Sequence, residues 1–481
     1  MLRSLLYGSA AALLLFGRFF LVAGQAHNVF YIMADAQDFL LIYSLLIASI
    51  IILTAFLQVI QVKAAGIYWR AVSALLLISM LPILDLLAFI IGLKPGAPGI
   101  MRIIYPLLCL GYVPFILVIA WFFRIERIIK RLLPVFITLA ALTLFSAFPR
   151  AAAHSHIKGL VKSEFKANPI NIIIFDETSW EALNSDSLRG WYSNFNEFAA
   201  HSYYFLNAYS PGCSTIVSIP KTITGVDYYE FEEHNLRFNV SYEAGEVKEQ
   251  FRTGGNIFEI AKNRGYNTYL IGGHIPYVDL FGEYLTYGAQ YRSSPLFYYL
   301  LPWPYAKVMY VSGLKKNIFY SEYADYCAQI KEAPENSLFF THFLIPHWPN
   351  IFDENGAGDY YWSNLIHGEK YKFEERYAAQ LKYVDKKLGE IMSLLKQTGR
   401  YDESLIIVTS DHDRSNAAER ERIPLYIKAP FQAEQVIVKE HSSMLWLKFL
   451  LEDFLDHQRV NPAVLFIPMT EEGNDTNLKA E

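Results

Sequence analysis

Five apolar stretches, each about as long as a bilayer core is thick, fill the first 150 residues and constrain everything after them. About 20 helical residues at 1.5 Å rise cross the hydrocarbon layer. Leu5 to Val22, Phe39 to Ile60, Val72 to Ile91, Ile103 to Phe123 and Leu132 to Phe148 come close to that length. A signal peptide is the alternative for the first stretch, but Arg18 interrupts its apolar run and four spans follow either way. Arg3, Lys63, Arg70, Arg124, Arg127, Lys130 and Arg131 fall on one side, against Lys94 and Arg102 opposite. The positive-inside rule therefore puts the N-terminus in the cytoplasm, and an odd number of spans puts the chain beyond Phe148 outside it. Arg18 and Asp85 lie within spans and are expected to face the bundle interior as an ion pair, with a polar pocket for a lipid headgroup as the alternative.

Composition agrees with a membrane chain: 53% hydrophobic and 19% charged residues, too apolar for disorder. The net charge of -5 offers no footprint for nucleic acid. Three cysteines, Cys109, Cys213 and Cys327, exclude a disulfide-dense scaffold and any CxxC metal or redox site. A metal must then be held by carboxylate, imidazole or hydroxyl.

Residues 151–168 read as a polar connector carrying His154, His156, Lys158, Lys162 and Lys166, a solvated linker close enough to touch anionic headgroups. From residue 169 to 470 short β-branched or aromatic runs alternate with amphipathic stretches, the pattern of a sheet covered by helices. Strands are expected at 171–175, 266–271, 337–343, 404–409 and 424–427, and helices at 256–263, 374–397 and 441–456. The tail from 471 to 481 is expected to be disordered. The aromatic run Phe297 to Tyr310 fits either a membrane interface or a buried core segment.

In open α/β sheets ligands bind beyond the carboxyl ends of strands. Two such ends carry acids or imidazole: Asp176-Glu177 after NIIIF and Asp411-His412 after SLIIVTS. Together they offer three carboxylates and an imidazole, a plausible divalent-cation set, although each pair alone fits a helix cap. A third stretch, SPGCSTIVSIPKTITG from Ser210 to Gly225, places the hydroxyls of Ser214 and Thr215 at a helix start, where they either cap the helix or meet an anion such as phosphate.

The order FDET, GCSTIVSIP, THFLIPHWP, YAAQLKYVDKKLGEIMSLLKQTGRYDESLIIVTSDH and RIPLYIKAP resembles the alkaline phosphatase/sulfatase superfamily across nearly all of 168 to 430. With five spans ahead of it, the chain looks most like the membrane branch: lipid A phosphoethanolamine transferases and, more distantly, lipoteichoic acid synthases and phosphoglycerol transferases. The resemblance implies a transmembrane bundle followed by an extracytoplasmic sulfatase-like α/β domain, periplasmic in a cell with an inner membrane. Glu177, Asp411 and His412 match the family's metal residues, and Asp176 matches a metal acid of the sulfatase branch. Thr215 matches the nucleophile and completes the metal set. His342 and His347 match two histidines of the transferases, His347 resembling the residue that handles substrate phosphate or a second metal. His274 resembles a position that touches the substrate anion. Cys213 is followed by Ser214, Thr215 and Ile216 rather than the context that sulfatases need for formylglycine, which argues against that mechanism. The family's later histidine is missing from SDHDRSNAAERERIP, so one metal is expected rather than two, with zinc ahead of manganese or magnesium. The branch's disulfides reduce here to a single Cys213 to Cys327 bond at most.

The activity implied is transfer of a phospho-headgroup from a phospholipid to a glycolipid or glycan acceptor through a phospho-threonine at Thr215, with His347 as proton shuttle supported by His342 or His274. A phosphodiesterase or phosphatase that passes the intermediate to water, and a catalytically silent relative, are the alternatives.

Overall fold

The computed structural model describes residues 2–15, 36–79, 131, 134, 157–158, 166–185, 189–228, 230–234, 237–241, 249–291, 304–356, 373–414 and 422–466. The expected fourth span, all of the fifth but residue 134, Arg18, Asp85, His154, His156 and the C-terminal tail lie outside these. The chain divides into two compact units, Met1–His154 with Ser293–Val311, and Ser155–Arg292 with Ser312–Glu481.

In the first unit, helices α1 (Leu2–Leu15), α2 (Ala36–Lys63) and α3 (Tyr68–Ser79) pack through small residues. A Cβ on Gly8 would come within 2.7 Å of Thr54 Oγ1, so α1 and α2 approach at the distance only glycine permits. Ser4 donates to Gln61 Oε1 at 2.9 Å, which ties the two helices by a polar contact as well. Residues Ser44–Lys63 of α2 form the one described stretch long and apolar enough to cross a membrane, with mean hydropathy 2.4. Ile47, Ile51, Ile52, Phe56, Val59 and Val62 are exposed along it.

The second unit is built on a nine-stranded mixed sheet. Its strands are β1 (Ile157–Lys158), β2 (Ile170–Phe175), β3 (Tyr203–Tyr209), β7 (Asn267–Gly272), β8 (Tyr287–Gln290), β9 (Ser337–Phe343), β10 (Leu405–Thr409), β11 (Leu425–Lys428) and β12 (Val436–Ser443). A separate antiparallel ribbon holds β4 (Glu230–His234), β5 (Arg237–Ser241) and β6 (Glu249–Gln250). The order of the large sheet is β1-β8-β7-β9-β2-β10-β11-β3-β12. From β8 to β10 every neighbouring pair is parallel; β11 then runs antiparallel to both β10 and β3.

All residues of β2, β7, β9, β10 and β11 are buried, which is why these strands read as unbroken apolar runs rather than alternating ones. One face carries α4 (Ser193–Ala199), α7 (Pro304–Glu332) and α8 (Phe373–Gln397), whose Phe195, Phe198, Phe319, Tyr326, Leu381 and Val384 join Ile173 and Phe339 in a continuous core. The other face carries α5 (Thr215–Thr224), α6 (Ile257–Asn263) and α9 (Leu447–His457), with Phe258 edge-on to Phe340 at 5.8 Å. Each fully buried Ile, Leu or Phe in these layers contributes about 1.5–3 kcal/mol.

The five expected strands are present within a residue or so of their expected ends, as are the helices at 256–263 and 374–397. The expected helix over 441–456 is corrected: residues to Ser443 complete β12 beside β3, Met444–Trp446 form a tight turn of helix, and α9 begins at Leu447. Ser443 marks the change, its hydroxyl accepting from Leu445 N at 3.3 Å. Of the aromatic run, residues from Pro304 onward open α7.

Candidate active site

The carboxyl ends of four adjacent parallel strands, β7, β9, β2 and β10, supply the site. His342 sits in β9 and pairs with Ile174 of β2 on one side and Gly272 of β7 on the other. Asp176 and Glu177 follow β2, His274 follows β7, His347 lies in the loop after β9, and Asp411 and His412 follow β10. Thr215 is the first residue of α5. Ser214 stands at the N-cap with an extended backbone but makes no side-chain cap, so the capping alternative for that hydroxyl is not what the fold uses.

Thr215 Oγ1 donates to Asp411 Oδ2 at 2.6 Å and lies 3.3 Å from His412 Nε2. Asp411 Oδ1 accepts from the Glu177 N–H at 3.2 Å, and the Asp411 carbonyl accepts from Ser218 Oγ at 2.5 Å, so α5 and the turn after β2 are both fastened to one aspartate. His412 Nδ1 donates to the Asp413 carbonyl at 2.7 Å, and its Nε2 lies 3.8 Å from Asp176 Oδ1 and 3.4 Å from Asp411 Oδ2. His342 Nε2 is 3.7 Å from Asp176 Oδ2 and 3.9 Å from Asp411 Oδ2, while Tyr277 OH pairs with its Nδ1 at 2.5 Å. His274 Nδ1 is 3.7 Å from the same Asp176 oxygen.

Glu177 is placed differently from its neighbour. Its backbone takes φ 60°, a left-handed conformation that costs a residue with a side chain about 1–3 kcal/mol. Its carboxylate accepts from the Trp348 N–H at 3.0 Å and meets His347 Nε2 at 3.4 Å. Tyr377 holds the turn, donating to the Glu177 carbonyl at 2.7 Å and accepting from Ser179 N at 2.8 Å. Backbone strain here separates two consecutive acids: Asp176 faces Asp411 and His412, and Glu177 faces His347.

Neither Asp176 oxygen nor His342 Nε2 has a hydrogen-bond partner, although both side chains are fully buried. Orphaned buried groups of this kind are rare and costly unless something else satisfies them. Asp176, Asp411 and His412 offer ligand atoms that lie within 4.8 Å of one another, and Asp176, His274 and His347 form a second such trio sharing the same acid. The donor set fits a divalent cation. Burial, then the charges of Asp411 and Glu177, push the Asp176 carboxyl far up. Burial pushes Glu177 up to about 7. Asp411 resists the same burial and is held well below the usual range by His412, His342 and the Thr215 hydroxyl. Burial pulls His274 down to about 3 and His342 to about 4, and takes His347 well below its ordinary value, so all three imidazoles are neutral at neutral pH.

The eight residues expected from sequence thus collect at one sheet end, with Thr215, Asp176, Asp411, His412, His342 and His274 in one cluster and Glu177 paired with His347 at its margin. Sequence reading missed Tyr277 and the buried Lys315 and Glu322 of α7. No motif marks any of them; only tertiary packing brings them to the site. Cys213 and Cys327 are both free thiols, so the Cys213 to Cys327 bond is not formed.

A sulfatase family profile matches residues 170–442, more than half of the chain. Lipoteichoic acid synthase of Staphylococcus aureus (strain USA300) is 33% identical over 122 residues, covering 22% of this chain and 16% of that protein. The chain thus aligns with only about a sixth of the curated relatives it matches. Among solved structures, Ps i-CgsB in complex with k-i-k-neocarrahexaose superposes with a TM-score of 0.43 at 15% identity, over 63% of this chain and 75% of that one. The phosphonate monoester hydrolase of Agrobacterium radiobacter gives 0.41 at 14%, over 64% and 79%. With its profile match running from the start of β2 through every strand end that builds the cluster, the chain belongs to the sulfatase family of the alkaline phosphatase/sulfatase superfamily.

Proposed function

We propose that the chain is a membrane-anchored, metal-dependent phosphotransferase that moves a phospho-headgroup, of phosphoethanolamine or phosphoglycerol type, from a phospholipid donor to a glycolipid or glycan acceptor. The observation that carries this reading is the Thr215 hydroxyl, buried 2.6 Å from Asp411 among acids and imidazoles, where a hydroxyl serving only as a helix cap has no reason to be. A relative named for lipoteichoic acid synthesis supports a lipid or glycolipid substrate.

Asp176, Asp411, His412 and Thr215 would hold one divalent ion, zinc ahead of manganese or magnesium, with Glu177, expected among the ligands, beside them and 3.4 Å from His347. When bound, the ion stabilises the threonine alkoxide and the charge that grows on the phosphoryl oxygens. Asp411 takes the hydroxyl proton as Thr215 Oγ1 attacks phosphorus. The bond from phosphorus to the diacylglycerol oxygen breaks, and the proton that oxygen needs passes from Glu177, whose carboxyl is pushed up to about 7, through His347 Nε2 3.4 Å away. His347 then takes a proton from the acceptor hydroxyl and returns it to Glu177, the acceptor oxygen displaces Thr215 in line and carries the headgroup away, and Asp411 gives the proton back to Oγ1. His274 and His342 bound the space in which the phosphoryl group sits.

In this reading residues 1–150 form five spans in the plasma (inner) membrane with a cytoplasmic N-terminus, 151–168 connect, 169–470 are the extracytoplasmic catalytic domain and 471–481 a tail. The exposed apolar length of α2 supports the anchor. The reading is tested by incubating the full-length protein with phospholipid labelled in its headgroup and weighing the Thr215 peptide. A headgroup-phosphate adduct, diacylglycerol release and a modified acceptor are expected. Diacylglycerol with free phospho-headgroup makes the enzyme a hydrolase, and retained activity in Thr215→Ala rejects the nucleophile.

A further inference from the structure

One face of α7 lies against both loops that carry the outer histidines. Lys315, Ile318 and Glu322 are spaced three and four apart, so they share that face over two turns. All three are buried, Lys315 at 1% exposure and Glu322 at 0%. Lys315 Nζ donates to the His347 carbonyl, its one hydrogen bond. The same loop is gripped from α8, where Gln380 Nε2 donates to the Pro346 carbonyl at 2.6 Å and its Oε1 accepts from Ile351 N at 2.7 Å. Two residues lower on the face, Ile318 Cγ2 and Glu322 Oε1 lie 3.2 Å and 3.0 Å from where a Cβ on Gly273 would stand. Gly273 immediately precedes His274. The two imidazoles so braced have ring centres 5.4 Å apart.

A lysine and a glutamate buried together cost several kcal/mol in lost hydration, so packing alone does not account for them where leucine would fit. Neither Glu322 oxygen has a hydrogen-bond partner. The charge of Lys315 also reaches Asp176 and Glu177, which binds the face electrostatically to the acids of the site.

We propose that this face of α7 is a positioning device: Lys315 fixes the loop of His347, and Ile318 with Glu322 fixes the loop of His274, so that the two imidazoles keep the separation at which they hold a phosphoryl group between them. The proposal rests on the phosphotransferase reading for its substrate but not for its geometry. Lys315 acts through His347 and touches no reacting atom.

A double-mutant cycle in the full-length protein tests it. Lys315→Met is expected to lower kcat for headgroup transfer about tenfold with donor KM within about twofold, and to cost less than about twofold when His347→Ala is already present. A merely structural lysine costs the same factor in both backgrounds, and that result overturns the proposal. Inorganic phosphate affinity in the same four proteins reads the pair without turnover: Lys315→Met weakens it about tenfold only where His347 remains. If the parent protein transfers nothing yet the phosphate cycle is coupled, the transferase reading fails and the positioning role stands; normal transfer with additive losses sinks the positioning role alone. Should Lys315→Met not fold, Glu322→Gln with His274→Ala is judged by the same criterion.

Discussion

Removing one charge at Asp176 should strengthen the metal-free protein and weaken the metal-bound one. The side chain is fully buried, its oxygens lack hydrogen bonds, and its ligand oxygen lies within 4.8 Å of that of Asp411. At an effective dielectric of about 20, two like charges at that separation repel by about 3 kcal/mol. Holding a proton on Asp176 instead costs about 4 kcal/mol at pH 7, since each pH unit above its ordinary 3.8 costs about 1.4 kcal/mol. Either way the folded apo protein is penalised relative to the unfolded chain. The sign follows from proton binding: the fold raises this carboxyl, so the native state retains a proton that the unfolded chain releases, and stability is lost as pH rises from about 4. Asparagine carries no such penalty and can donate to Asp411. Full-length Asp176→Asn, treated with chelator, should therefore melt about 5 °C above the parent protein at pH 7.5, with the gap closing toward pH 4. Added zinc or manganese should reverse the order, because only the parent keeps all its ligands. Differential scanning fluorimetry across pH, with and without metal, reads both halves. A chelated variant that melts at or below the parent at pH 7.5, or a gap that does not shrink on acidification, refutes the reasoning.

Three further outcomes follow from the same geometry. Burial pushes Glu177 up to about 7 and Asp176 well above the usual carboxylate range, so metal binding must expel at least one proton; apparent affinity should rise about tenfold per pH unit between pH 5 and 7, and calorimetry in buffers of different ionisation enthalpy should count the protons released. Cys213→Ser should retain transfer, because Cys213 forms no cystine and the proposed chemistry runs through Thr215, and loss of the Thr215 adduct in that variant would reopen the chemistry of the segment. Gly272→Ala would set its Cβ 2.8 Å from Tyr277 Cε2, so the ring that pairs with His342 must shift; a loss of about 1–3 kcal/mol of stability and a lower kcat are expected, to be read by melting and by initial rates.

The sheet centre was legible because its strands are buried on both faces and so appear as apolar runs with an acid or imidazole at the end. NIIIF before Asp176 and SLIIVTS before Asp411 are the clearest cases. The sheet's edge was not. Tyr203–Tyr209 is half-buried, and Val436–Ser443 shifts register between Val438 and His441, so neither shows a clean period of two. The helical spacing across 441–456 was real from Leu447 onward, but pairing with β3 claimed its first residues. At the site, the residue types and their grouping could be read from motifs, whereas which of two consecutive acids faces the cluster depends on one left-handed φ at Glu177. Lys315 and Glu322 look like ordinary solvated charges in YVSGLKKNIFYSEYADY, and their burial is decided by what packs on α7.

The parallel run β7-β9-β2-β10 acts as a ruler for the chemistry it ends in. Neighbouring strands are held about 4.8 Å apart by their own hydrogen bonds, so the strands that carry or lead into His342, Asp176 and Asp411 are spaced by the backbone ladder. Loops that carry none of the site residues can lengthen, shorten or be exchanged to admit a new headgroup or acceptor without respacing the strand ends. Sliding β10 by a single residue against β2 would turn every one of its side chains to the opposite face and dismantle the site at a stroke.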